Sequence, residues 1–223
     1  NLMEVYLDAV FYPNVYTEPK IFMQEGWHYE LVDDKGSPDK NGEVILNGVV
    51  YNEMKGAFSS ADSVLERSIT KTLFEGHSYG EESGGDPDII PTLTYENFLD
   101  MHSKYYHPSN SYIYLYGDMD MANKLDRIDR EYLSKFEYKF VDSKIEEVKP
   151  LEKMKERNFE YPITESQNEE NATYLSWNTL VGGELEPTVY MGFQILEYVL
   201  IDAPGAPLMQ ALIDAGIGED VYG

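Results

Sequence analysis

Apolar residues recur at helical spacing over Leu2, Val5, Tyr6, Ala9 and Val10, and Pro13 closes the pattern. A second amphipathic segment is predicted from about Pro19 to Val32, with Phe22, Met23, Trp27 and Leu31 on its stripe and His28 beside it. Residues 33–39, Asp-Asp-Lys-Gly-Ser-Pro-Asp, form a polar turn. Residues 61–74 repeat the helical pattern through Val64, Leu65, Ile69 and Leu73. A long irregular connection follows, and Thr94 then N-caps a helix that runs to Tyr105-Tyr106 and ends at His107-Pro108. Residues 111–116, Ser-Tyr-Ile-Tyr-Leu-Tyr, are rich in aromatic and branched side chains and predict a strand, with a helix from about 122 to 136 after it.

From 142 to 158 the apolar pattern weakens and charges crowd together, which reads as a linker. Two strand-like runs, 158–163 and 172–181, come next. Pro187 then opens a strongly apolar helix with Val189, Phe193, Ile195, Leu196, Val199 and Leu200. Ala203-Pro204-Gly205-Ala206-Pro207 breaks it, and a short helix reaches Ala215. The expectation is an α+β chain: residues 1–141 are one unit, 142–158 the linker, and 159–223 an unfinished second unit with a small core.

Within this pattern one residue is out of place. Residues 47–56 read Asn-Gly-Val-Val-Tyr-Asn-Glu-Met-Lys-Gly, and a helical count puts Leu46, Val49, Val50, Ala57 and Phe58 on one stripe. Glu53 lies three residues after Val50 and four before Ala57, so its carboxylate is expected to point inward. A carboxylate removed from water is protonated, paired with Arg or Lys, or bound to a metal. At the edge of the stripe it would reach solvent instead.

Composition narrows the chemistry. The 223 residues carry 17 basic and 41 acidic side chains, a formal charge of -24, which disfavours nucleic acid and anionic membrane partners. With no cysteine there are no disulfides, thiolate zinc sites or thiol nucleophiles, so a zinc site would use His, Asp or Glu. No apolar run is long enough for a transmembrane helix, no signal peptide leads the chain, and the expected location is cytoplasmic. The start at Asn1 rather than Met suggests a processed piece. The glycine-rich segment 76–88 lacks a Lys and is ringed by Glu81, Glu82, Asp86 and Asp88, which argues against phosphate. Glu81-Glu82 and Glu169-Glu170 read as solvated charge runs, and no Gly-x-Ser-x-Gly motif is present.

Four stretches in order carry a family likeness: residues 1–13 (Asn-Leu-Met-Glu-Val-Tyr-Leu-Asp-Ala-Val-Phe-Tyr-Pro), 48–56 (Gly-Val-Val-Tyr-Asn-Glu-Met-Lys-Gly), 105–110 (Tyr-Tyr-His-Pro-Ser-Asn) and 203–208 (Ala-Pro-Gly-Ala-Pro-Leu). Together they resemble the pitrilysin/insulinase-type zinc metallopeptidases, in their presequence-protease branch. The resemblance implies two related, partial metallopeptidase-type α/β units joined by the linker. It also implies a protease acting on short unstructured oligopeptides, with zinc-activated water as nucleophile. In that family an inverted His-x-x-Glu-His motif supplies two zinc-binding histidines and the general base, and a later glutamate completes the site. Glu53 matches the later glutamate. The chain's four histidines, His28, His77, His102 and His107, form no such motif, so the other ligands and the base are expected upstream, on the remainder of a parent chain. No catalytic residue is assigned here, and the piece alone is expected to be inactive and to bind zinc weakly. The competing expectations are a non-catalytic homologue, serving as an acidic binding or assembly module, and a plain structural domain in which Glu53 pairs with a basic residue.

Overall fold

A computed structural model describes residues 2–170, 172–181, 186–218 and 221–222. Among them the architecture is α+β, with α-helices, single-turn 3-10 helices and one two-stranded antiparallel sheet. The chain divides into two compact units, Asn1–Asn178 and Thr179–Gly223.

The first unit opens with α1 (Leu2–Phe11), as its spacing predicts. α2 (Pro19–Glu25) follows, with Pro19 in its first turn, where a missing N–H costs nothing. The expected continuous segment to Val32 breaks here. After Gly26 the chain turns into β1 (His28–Val32), which pairs antiparallel with β2 (Glu43–Asn47), His28 opposite Asn47 and Val32 opposite Glu43. The break is tertiary in origin: the Gly26 carbonyl accepts from the Tyr51 amide at 3.3 Å, and the Trp27 indole N–H donates to the Leu93 carbonyl at 2.9 Å. The polar loop between the strands is closed by Asp33, whose Oδ1 accepts from the amides of Lys35 and Ser37.

Next come α3 (Val49–Ala57) and α4 (Ala61–Leu73), the latter capped by Ser60, whose side chain accepts from the Ser63 amide. α5 (Tyr95–Tyr105) starts at a full capping box made by Thr94 and Asn97. Phe22 of α2 packs against Tyr95 and Phe98, with ring centroids 6.1 and 5.6 Å apart. α6 (Met121–Glu131) is capped by Asp120. It lays Ile128, with Tyr132 just beyond, against Leu7 and Phe11 of α1. These four side chains form a buried cluster, with Met3, Val10, Leu115, Leu133 and Phe136 packed against it, and Val32 and Ile90 are buried elsewhere in the unit. The Tyr132 hydroxyl donates to Asp8 Oδ1 at 2.8 Å. Burial, reinforced by that hydrogen bond, pushes the phenol up to about 12.

Three expected strands are not formed. Residues 111–116, 158–163 and 172–181 are without helix or strand pairing, because a strand exists only against a neighbour and none of the described residues supplies one. The charged stretch 142–158 has neither helix nor strand.

In the second unit α7 (Pro187–Glu197) runs into a π turn, Tyr198–Asp202. The turn closes through the Ala203 amide on the Tyr198 carbonyl at 2.8 Å. The Pro-Gly-Ala-Pro break then leads into α8 (Pro207–Asp214), as expected from sequence, and Ala206 is buried at the corner. Apolar side chains all around α7, including Val189, Met191, Phe193 and Ile195, stay exposed among the described residues. A helix apolar on every side is the kind that a larger core encloses.

Candidate functional site

The junction between β2 and α3 is held by short-range chemistry. Asn47 Oδ1 accepts from the Gly48 amide at 2.8 Å and from Asn52 Nδ2 at 2.6 Å, and Asn47 Nδ2 donates to Glu30 Oε2. Glu30 and Asn47 sit diagonally across the ladder on one face, within reach of long side chains. Gly48 has φ +154°, and a Cβ there would drive into the Gly26 carbonyl oxygen. Only glycine permits both the backbone angle and the close approach. The first turn of α3 is thereby fixed in direction, and Glu53 follows directly after Asn52.

The inward orientation expected for Glu53 is not observed. Glu53 is exposed and has neither ion pair nor hydrogen bond among the described residues. The half-buried stripe of α3 is Val50, Met54 and Phe58, at i, i+4 and i+8; Glu53 lies one position away, in line with Val49 and Ala57, which are also exposed. Leu46 belongs to β2 and cannot extend a helical stripe. Pairing with a basic residue is not realised either.

The histidines are each occupied locally. His28 Nδ1 donates to the Met23 carbonyl at 2.7 Å, and His77 Nε2 donates to the Glu146 carbonyl at 2.8 Å. His107 Nδ1 accepts from the Ser109 amide at 3.1 Å. His102 Nδ1 lies 2.8 Å from the Tyr16 hydroxyl and its ring stacks on Tyr106; burial holds its imidazole below the usual histidine range, against the opposing effect of the Val10 backbone. Among the described residues no three His, Asp or Glu converge as a metal-ligand group. A catalytic zinc takes three protein ligands, so the residues present do not fit a zinc centre by themselves.

Beside α3 lies a groove of about 300 Å³, lined in part by Met54, Phe58, Arg67, Lys71, Glu81 and Glu82. Arg67 and Lys71 in its lining belong to an ionic cluster that sequence reading missed. The Arg67 guanidinium stands 4.4 Å over the Phe58 ring and pairs with Asp86 Oδ2, which also accepts from Lys71 Nζ at 2.7 Å. Arg67 Nε is buried without a hydrogen-bond partner. Gly84 brings the loop onto Met54, since a Cβ there would meet its sulfur. The available signal was Arg67 and Lys71 at i, i+4 on α4, facing an Asp-Pro turn after paired glycines.

Burial alone would push the Asp86 carboxyl up, but hydrogen bonds from Lys71, the Asp88 amide and Arg67 overcome it, and the group is held at about 2 against an ordinary 3.8. A carboxyl with a depressed folded-state value contributes stability that is present above its unfolded value and lost as pH falls through the folded one. Thermal midpoints should therefore drop as pH falls from near 4 toward 2, and Asp86→Asn should lower the midpoint at neutral pH and reduce that acid dependence.

Residues 92–223 match the family model described as "Peptidase M16 inactive domain". The chain belongs to the M16 peptidase family. It is 52% identical over 223 residues to the Clostridium perfringens protein named Protein HypA, covering all of this chain and 22% of that one. It is 38% identical over 231 residues to Presequence protease 1, chloroplastic/mitochondrial, of Arabidopsis thaliana, with 98% of this chain and 20% of the relative covered. To Presequence protease, mitochondrial, of Xenopus tropicalis it is 36% identical over 225 residues, with 99% and 21% covered. The M16 chain thus spans about a fifth of the length of these relatives. The Glu53 helix and the groove precede the segment matched by the family model, but lie within the span aligned to the HypA protein. No described helix is long and apolar enough to cross a membrane.

Proposed function

We propose that this chain is part of a zinc-dependent M16 endopeptidase that degrades short unstructured peptides, and that Glu53 is one ligand of its zinc. The reading is supported by likeness along almost the whole chain to two presequence proteases. The residue assignment is carried by the match of residues 48–56 to the family's later zinc-binding glutamate; Glu53 itself is exposed, without an ion pair or hydrogen bond among the described residues, on a helix whose direction is fixed by Asn47 and Gly48. A carboxylate clamped by arginine would be spent; a free one on a fixed helix is available as a hard oxygen donor. The remaining ligands and the general base are assigned to polypeptide outside these 223 residues. In this organisation residues 1–141 are the later part of one peptidase unit, 142–158 the connection, and 159–223 the opening of a related second unit.

A longer protein that carries these residues at the length of the relatives should cleave an unstructured peptide, and Glu53→Gln should lower its kcat/KM by at least about 100-fold. The 223-residue chain alone should be inactive. A second reading, a non-catalytic acidic assembly module, is favoured by the description of the matched 92–223 segment as an inactive domain. It predicts that the longer protein cleaves no peptide, with or without the substitution.

A further inference from the structure

α3 starts at Gly48, an N-cap with no side chain to offer. Asn47, the last residue of β2, supplies the missing acceptor: its Oδ1 takes hydrogen bonds from the Gly48 amide and from Asn52 Nδ2, at 2.8 and 2.6 Å. A carboxamide can face either way, and only the orientation that turns its oxygen toward α3 makes these bonds. Glu30 selects that orientation. A carboxylate accepts and does not donate, so Glu30 Oε2, from its half-buried place on β1, draws Asn47 Nδ2 to itself and leaves the oxygen for the helix. One residue before Asn52, the Tyr51 amide is tied to the Gly26 carbonyl. Two ties on consecutive residues, one through the backbone and one through side chains, hold α3 against rotation about its own axis, and Glu53 comes next.

We infer that Glu30 is a positioning residue: through Asn47 and Asn52 it sets the rotation of α3 and with it the direction of the Glu53 carboxylate. This rests on the proposal that Glu53 serves the peptidase site. Glu30 is suited to the part because its own place is fixed by the ladder between β1 and β2 rather than by a loop. Outer partners that orient a functional ligand are typically worth about 10–100-fold in affinity or activity.

The test has two arms. In the 223-residue chain, Glu30→Ala should quicken exchange of the Asn52 amide, held by the Gly48 carbonyl at 2.9 Å, by about 10-fold. The Asp39 amide, held by the Leu31 carbonyl in the hairpin beside Glu30, should keep its rate. Asn52 exchange that is unchanged, or that quickens equally with Asp39, would overturn the inference, because Glu30 would then at most brace the hairpin. In a longer protein of the relatives' length, Glu30→Ala should lower kcat by about 10-fold with KM unchanged, and Glu30→Gln, which keeps an acceptor oxygen, should restore most of it. Adding Glu30→Ala to Asn47→Ala should cost nothing further, because the two side chains act in one chain of bonds. Additive losses would overturn the inference. So would the natural kcat in Glu30→Ala beside a Glu53→Gln protein that has lost activity, and Glu53 would keep its role. Full activity in Glu53→Gln would instead remove the reading on which the inference rests, while the exchange arm still decides whether Glu30 orients α3.

Discussion

Ile128→Ala should destabilise the chain by about 2–5 kcal/mol, read as a shift in the denaturant midpoint. Ile128 is 3% exposed, one of four buried side chains that join α1 to α6. A core of that size has few atoms that can move in to fill the space of a lost side chain, so the cavity persists. The conservative Ile128→Val should cost only about 0.5–1.5 kcal/mol, which separates lost packing from general intolerance at the site. Because whole domains are stable by only about 5–15 kcal/mol, the alanine variant should also show early loss of the near-ultraviolet signal of Tyr132 and Phe11. A cost below that of the valine variant would mean that α1 and α6 are not packed as described.

Gly48→Ala should destabilise by about 1–3 kcal/mol through backbone strain, with a further cost from the clash with the Gly26 carbonyl. It should also loosen the first turn of α3, seen as faster exchange of the Tyr51 and Asn52 amides. Those amides are held by the Gly26 and Gly48 carbonyls, at 3.3 and 2.9 Å. The control is on the same helix: Gly56 has an ordinary φ and open space where its Cβ would stand. Gly56→Ala should therefore be neutral or stabilise by up to about 1 kcal/mol. Equal effects at the two glycines would remove the argument that the Asn47–Gly48 corner aims α3.

The helices were legible in the sequence wherever the apolar stripe was regular. α4, α5 behind Thr94 and α7 behind Pro187 lie close to where spacing placed them, while α6 begins where expected but ends at Glu131, short of the expected 136. The hairpin was not legible, because five residues from His28 to Val32 are too few to separate alternation from a helical stripe continuing from Phe22. What decides there is non-local, namely the approach of Gly48 to Gly26 and the hold of Leu93 on Trp27. The three missing strands failed differently: propensity at 111–116 is real, but pairing needs a partner that the sequence pattern cannot supply. The helical count that singled out Glu53 also misplaced its side chain. Counting Leu46 and omitting Met54 rotated the stripe by one position, which turned a solvent-facing carboxylate into a buried one. The Arg67–Asp86 pair, on separate elements, lies beyond any local periodicity.

The central claim is that Glu53 is a zinc ligand contributed to a site completed by other polypeptide. Zinc content after dialysis, measured on a longer protein of the relatives' length, tests it most directly. The account predicts about one zinc per chain for the natural sequence and a large loss for Glu53→Gln, with the fold retained. Equal zinc in both proteins, or tight stoichiometric zinc on the 223-residue chain alone, would contradict it.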